Sequence, residues 1–186
     1  MKKIIFYILL PIVVTAIALF TYESIQFNSY ISASEINKTN DMNIPINQDA
    51  PVKSHAEIVI NAPTEKVWRL LTSINDWPAW QSDVTESNLK EELKEKAEFK
   101  WKAGGLSFTS QIHTIDPKIK FGWTGKTFGA SAIHNWFFKD DGEKTTVYVE
   151  ESLQGVFPKF FKTYFQKNLD EGVKKNLKEL KNAAEK

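Results

Sequence analysis

Apolar residues fill positions 4 to 20 almost without a break, lose all period until about residue 55, and then recur in two different rhythms. After Lys2 and Lys3, only Tyr7, Pro11 and Thr15 interrupt the run from Ile4 to Phe20, which is at the short end of what spans a hydrocarbon core. The residues that follow, Phe20-Thr21-Tyr22-Glu23, are not the small residues of a signal-peptidase site, and Ala33 lies too far along. Residues 1–22 are therefore expected to be an uncleaved transmembrane anchor, with a cleaved signal segment or a buried helix as alternatives. Lysines before the run and Glu23 after it place the N-terminus in the cytoplasm and the rest of the chain outside it, as a single-pass membrane protein. If the segment is cleaved, the product is secreted or periplasmic. Residues 23–54 are rich in Asn, Ser, Thr and Gln, with Pro45 and Pro51, and the pattern predicts a flexible polar tether of roughly 30 Å reach.

From residue 55 to 186 the rhythms predict one folded domain. Ala56, Ile58 and Ile60 alternate with polar neighbours as a half-buried strand, and Asn61-Ala62-Pro63-Thr64 ends it. Val67, Trp68, Leu70, Leu71 and Ile74 then follow helical spacing, and Trp77-Pro78-Ala79-Trp80 suits a short further turn of helix. Period 2 returns in five segments joined by short turns at Gly104-Gly105, Asp116-Pro117, the residues before Ala130 and Asp140-Asp141-Gly142, which predicts an antiparallel meander. From Phe157 to the end, Phe161, Phe165, Leu169, Val173, Leu177 and Leu180 keep the spacing of one long amphipathic helix. A sheet with one apolar face and a helix to cover it make an α+β fold.

Composition removes several chemistries. There is no Cys, hence no thiolate metal site, disulfide or Cys nucleophile. Net charge is +1 and Arg69 is the only Arg, so nucleic acid is not an expected partner. His55, His113 and His134 show no ligand spacing, no Gly-rich phosphate loop is present, and Gly-x-Ser-x-Gly is missing. No metal or cofactor is expected. The excess of Lys on the last helix is a solvated face or, alternatively, an attraction for anionic lipid.

The order of elements, with Ile60-Asn61-Ala62-Pro63-Thr64-Glu65-Lys66-Val67-Trp68 leading to Ile74-Asn75-Asp76-Trp77-Pro78-Ala79-Trp80, resembles the START-like SRPBCC superfamily, the polyketide cyclase/dehydrase and lipid-transport group. Phe121-Gly122-Trp123-Thr124-Gly125, His134-Asn135-Trp136-Phe137-Phe138 and the stretch from Thr145 to Gly155 agree with it. The resemblance covers residues 55–186 and implies a helix-grip fold, a curved antiparallel sheet around the C-terminal helix with a cavity between them. It does not imply one reaction, because the group mixes carriers, cyclases and other activities.

Period 2 puts Glu151 on the inward face with Val147, Val149 and Leu153, a position that matches a recurrent acid of the superfamily. Otherwise a bulge near Gly155 turns it outward, or it serves a structural pairing. His134 shares parity with Trp136 and Phe138; it is either a satisfied core histidine or, facing Glu151, half of a general acid/base pair. Phe99, Trp101, Phe121, Trp123, Trp136 and Phe138 on the sheet, with Phe161, Tyr164 and Phe165 on the helix, are the candidate cavity lining, although such rings also simply fill cores. Phe128 is placed at the rim as a gate. With no complete catalytic group in view, the preferred expectation is a membrane-anchored module, held through residues 4–20, that binds an apolar or amphipathic small molecule, lipid included. The alternatives are a cyclase, dehydratase or isomerase using Glu151 and His134, and an envelope interaction protein with a closed core.

Overall fold

A computed structural model describes residues 2–36 and 44–186, and the side chains of 10–35 and 44–186. The N-terminal apolar run lies in a 35-residue helix, α1 (Lys2–Ile36). From Leu10 to Leu19 its side chains are exposed on every side, while from Phe20 onward Phe20, Glu23, Phe27, Tyr30, Ile31 and Ser34 are covered. That 3-to-4 spacing is one helical face, and it lies against the rest of the molecule. By length and composition Leu10–Glu35 can cross a membrane, a test that a signal sequence also passes.

Seven antiparallel strands follow: β1 (Val52–Ile60), β2 (Val84–Leu89), β3 (Glu98–Ala103), β4 (Leu106–Asp116), β5 (Lys120–Thr127), β6 (Ala130–Asp140) and β7 (Thr145–Gln154). After β1 the chain crosses through α2 (Thr64–Thr72) and a 3₁₀-helix (Ile74–Ala79) to the far edge of the sheet, then meanders back until β7 pairs with β1. The spatial order is β1-β7-β6-β5-β4-β3-β2. A short helix, α3 (Val156–Phe160), leads into α4 (Lys162–Ala184), whose Leu169, Val173, Leu177, Leu180 and Ala184 bury into the same core as Phe121, Trp123, Val147 and Val149.

Both open edges of this sheet are occupied by side chains that stand in for a further strand. On β1, Gln166 Nε2 donates to the Lys53 carbonyl at 2.7 Å and Lys181 Nζ to the Val59 carbonyl at 2.7 Å. Glu185 accepts the Asn61 N–H at 2.7 Å, and that bond holds its carboxyl below the ordinary range. On β2, Asn75 Nδ2 donates to the Leu89 carbonyl at 3.1 Å and Asn75 Oδ1 accepts the Leu89 N–H at 2.6 Å. The long helix is thus pinned across the sheet rather than resting on it through apolar contact alone.

Three expectations need correction. The sheet has one strand more than the pattern suggested, because β2, Val-Thr-Glu-Ser-Asn-Leu, is an edge strand with only Val84 buried, and so shows no clean alternation. The C-terminal helix is not continuous: Phe161, at φ −117° and ψ 41°, breaks α3 from α4. The segment 23–54 is not a free chain along its described parts. Helix α1 runs to Ile36, Ile44 and Ile46 join Phe27 and Ile133 in a small apolar cluster, and β1 begins at Val52. Residues 37–43 of that segment lie outside the described residues. Asn47 anchors the strap, its N–H donating to Ser152 Oγ at 3.1 Å and its side-chain amide to Gln154 Oε1 at 2.7 Å. This strap covers the outer face of β6 and β7, so β6 is buried on both sides.

The doubly covered strands leave little room at Gly122. A Cβ there meets His113 Cε1 at 2.5 Å and Asn135 Oδ1 at 2.7 Å, both on the strap side of the sheet. Asn135 is fixed by its own bonds to the Ile44 carbonyl at 2.9 Å and Glu150 Oε1 at 3.1 Å, so it has no easy retreat. Gly122→Ala is expected to lower stability by about 1 to 2 kcal/mol, the usual cost of overpacking, and a denaturant titration measures it.

Candidate functional site

The interior of the sheet is organised in rows, since residues in register on adjacent antiparallel strands point to the same face. One row is Trp123, His134 and Glu151 on β5, β6 and β7. The imidazole of His134 stacks on Trp123, with centroids 4.4 Å apart, and lies parallel to Trp136 at 5.4 Å. Its Nδ1 is 3.0 Å from Glu151 Oε2, with the two side chains only 8% and 13% exposed. Glu151 thus points inward and meets His134, one of the arrangements the pattern left open, with neither bulge nor outward turn.

Towards the Asp116–Lys120 and Asp140–Thr145 turns the rows are filled. Trp68 from α2 packs edge-on against Phe121 at 6.0 Å and Phe138 at 5.4 Å, and this end is solid core. Trp77 closes the middle, 5.5 Å from both Phe99 and Trp123 and 5.7 Å from Trp101, with its indole N–H donated to the Leu71 carbonyl at 2.8 Å. In the opposite direction the next inward row is Ser110, Gly125, Ala132 and Leu153, three of the four small. There Trp101, Phe108, Ala132, Leu153 and, from α4, Phe165 are only half-buried. Side-chain volume thins on this side of the His134–Glu151 pair, which places the pair at the floor of whatever enters between sheet and helix.

The electrostatics suit a mostly apolar guest with one polar group. A carboxylate at 3.0 Å selects the Nδ1–H tautomer of a neutral imidazole and leaves Nε2 with a lone pair. His134 Nε2 and Trp136 Nε1 are buried without a hydrogen-bond partner among the described residues. Each such orphan costs on the order of 1–3 kcal/mol, so a ligand hydroxyl that donates to the Nε2 lone pair, or a ligand oxygen that accepts the Trp136 indole N–H, is strongly favoured. Among the described residues, no three His, Asp or Glu gather as metal ligands.

Of the residues expected to line a cavity, Phe99, Phe121, Trp123, His134, Trp136 and Phe138 are buried, and Trp101, Phe165 and Glu151 half-buried. Phe161 and Tyr164 are different. They are 58% and 66% exposed and stand at the surface: Phe161 is the non-helical residue between α3 and α4, and Tyr164, five residues before Leu169 on the same helix, lies about 140° round from the buried stripe. Trp77, Phe108 and Ser110 belong to the site and were not singled out from the sequence. Ser110 accepts the Trp101 indole N–H at 3.0 Å, and Phe108 stacks on Trp101 at 4.5 Å. The parity of Phe108 with Ile112 was the available signal for the latter; a tryptophan before a proline was the signal for Trp77.

Comparison with known proteins agrees with this geometry. Residues 51–185 match the family model described as polyketide cyclase/dehydrase and lipid transport. Among curated proteins there is no match. Solved structures of similar fold include a hypothetical protein from Helicobacter pylori, with 18% identity, a TM-score of 0.68, and coverage of 80% of this chain and 98% of that one. A START superfamily protein from Mycobacterium smegmatis has 10% identity and a TM-score of 0.63, over 72% of this chain and 97% of its own. An aromatase/cyclase from Streptomyces has 12% identity and a TM-score of 0.64, over 72% and 93%. At such identities the likeness is one of fold, and it is the α+β helix-grip arrangement expected from the sequence. The family match spans the whole sheet and both C-terminal helices, so the chain belongs to the polyketide cyclase/dehydrase and lipid transport family, of START-like fold.

Proposed function

We propose that this protein is a membrane-anchored, extracytoplasmic module that holds an apolar or amphipathic small molecule, lipid included, between the sheet and α4. The carrying observation is the His134–Glu151 pair at 3.0 Å, with Nε2 unpartnered and the small-residue row Ser110, Gly125, Ala132 beside it. The family description, which names both cyclisation and lipid transport, fits a hydrophobic guest. The anchor is residues 1–22, with the N-terminus cytoplasmic from Lys2 and Lys3, and the binding domain is 55–186. Residues 23–54 serve as a connector that is docked in part on the domain.

Binding is tested with the full chain in detergent and a fluorescent apolar probe. Saturable binding of one probe per chain is expected, weakened about tenfold or more by Trp101→Arg, equivalent to roughly 1.4 kcal/mol, because the cation must stay with its water at the half-open side. Equal affinity of the variant and the parent sinks the reading.

The same contact favours a second reading, an enzyme of cyclase, dehydratase or isomerase type. A carboxylate-oriented imidazole whose other nitrogen faces a guest has the arrangement of a general base. Turnover of β-polycarbonyl compounds that disappears in both His134→Gln and Glu151→Gln supports it; probe binding without turnover of any such compound leaves the carrier.

A further inference from the structure

The exposed aromatic residues have no role in the site as described, yet they are not scattered. Phe128, in the β5–β6 turn, is 76% exposed, and Phe160, at the end of α3, is 65% exposed. With Phe161 and Tyr164 they crowd the end of the sheet where β5 passes to β6 and β7 passes to α3, the same end at which the inward rows thin. Phe128 packs 5.6 Å from Phe157 of α3, and the Phe157 N–H donates to the Gly129 carbonyl at 3.2 Å, so turn and helix form one rim. Exposed aromatic residues gathered at one end of a domain, with Phe128, Phe157 and Phe161 in successive ring contact, mark a contact with something apolar.

Helix α1 meets the domain at this rim. Phe20 stacks on Phe128 at 5.2 Å and lies edge-on to Phe157 at 5.7 Å. Glu23 pairs with Lys159 at 2.9 Å, a contact that raises the lysine's affinity for its proton. N-terminal to Phe20 the helix leaves the domain, and from Leu10 to Leu19 its apolar side chains have no cover among the described residues. A hydrocarbon core of about 30 Å takes about 20 helical residues at 1.5 Å each, and counted from Ile4 these end at Glu23. The polar boundary of the bilayer then falls at the level of Phe20 to Glu23, where the helix touches Phe128, Phe157 and Lys159. Tyr22, exposed on the side of α1 away from the domain, sits where aromatic residues collect at membrane interfaces.

We infer that the rim formed by Phe128, Phe160, Phe161 and Tyr164 lies in the outer leaflet of the membrane that carries α1, so that the space between sheet and α4 opens onto lipid rather than onto water. The inference rests on the proposed function and narrows it: the guest is an amphiphile resident in that leaflet, taken up tail first past the rim and bound by its polar part at His134 and Glu151. Lys159 and Lys162 flank the aromatic residues at the height of the headgroups, where cations attract anionic phosphates. The docked connector fits the same picture, since a domain held at the membrane surface by Phe20, Glu23 and Phe27 needs no long reach.

The chain has no cysteine, so single spin labels report cleanly. Phe128→Cys, Phe160→Cys and Tyr164→Cys, with Glu143→Cys in the opposite turn as reference, are labelled in the full chain and reconstituted into phosphatidylcholine/phosphatidylglycerol vesicles. At 128, 160 and 164 relaxation by oxygen, which partitions into lipid, is expected to exceed relaxation by a water-soluble nickel chelate, with the reverse at 143. Because Phe160 and Tyr164 are already exposed, their replacement leaves the fold intact whatever happens at 128. Labels accessible to nickel at all three rim positions overturn the inference. So does protection from both agents that fades as the vesicles are diluted in protein, which marks a second copy of the chain as the occupant. Failure of the ligand reading shows separately: a photoreactive acyl chain in the same vesicles then gives no crosslink to Ala132 or Leu153 while the label depths stay as predicted.

Discussion

Ala132→Trp is expected to abolish binding of an apolar probe, with a loss of about a hundredfold or more in affinity, or roughly 2.7 kcal/mol, and little change in the melting temperature. Ala132 stands inward between Gly125 and Leu153, in the row where side-chain volume falls away from the filled end of the core. A tryptophan there occupies the volume a guest needs and sits one row above His134, so it competes with the guest directly. The residue is half-buried rather than enclosed, which lets the indole enter without forcing strands and helix apart. If the interior were fully packed at this row, the same substitution would instead cost about 1–3 kcal/mol of stability through overpacking, and probe binding would be weak in the parent as well. Titration of the probe and a thermal melt on the same two samples separate these outcomes.

The second large effect concerns the buried pair. His134→Leu removes the donor facing Glu151 and leaves a carboxylate in apolar surroundings, which is expected to cost about 3 kcal/mol. Glu151→Leu leaves a neutral imidazole with one unmet N–H, for about 1–2 kcal/mol. The double variant is expected to return close to the parent's stability, because no polar group is then stranded among Trp123, Trp136 and Leu153. A pair that adds no net stability over an apolar one is, on the function proposed above, there for its contact with the polar part of a guest. Polar-headed ligands are therefore expected to lose affinity in the double variant more than hydrocarbons do. Chemical denaturation of the parent, both single variants and the double variant measures the coupling; a double variant no more stable than the worse single variant makes the pair structural.

What could be seen from the sequence, and what could not, follows from the range of the interactions. Glu151 and His134 were legible as a facing pair because period 2 holds along β6 and β7 and a short turn at Asp141-Gly142 joins them, which sets the register locally. The covering of β6 on both faces was half-legible, in that Ile133 and Phe137 are as apolar as Trp136 and Phe138. What covers the outer face was not, since Ile44 and Ile46 look isolated in a polar stretch and find Ile133 only across about ninety positions of chain. Strand β2 was invisible for a different reason: an edge strand needs few apolar residues, and its pairing is completed by Asn75 rather than by a pattern of its own. Phe161 fits a continuous helical stripe until it leaves helical geometry itself, whereas Tyr164 only flanks that stripe and turns outward with the polar side of α4. A single φ, ψ change of that kind, at φ −117° and ψ 41°, leaves the spacing of apolar residues unaltered.

The placement of the aromatic residues thus sorts them into three jobs. Trp68, Phe121 and Phe138 fill one end of the core; Trp123 and Trp136 stack on His134, with Trp77 and Trp101 behind Trp123; Phe128, Phe160, Phe161 and Tyr164 face outward. Only the middle group borders the space proposed to hold a guest. Occupation of this space by an apolar or amphipathic molecule is tested by native mass spectrometry of the full chain released from the membrane in which it was made, parent and Ala132→Trp side by side. A discrete mass excess of one small molecule is expected on the parent, lost under collisional activation and missing from the variant. Parent and variant both flying at the bare chain mass, or both carrying the same adduct, would contradict it.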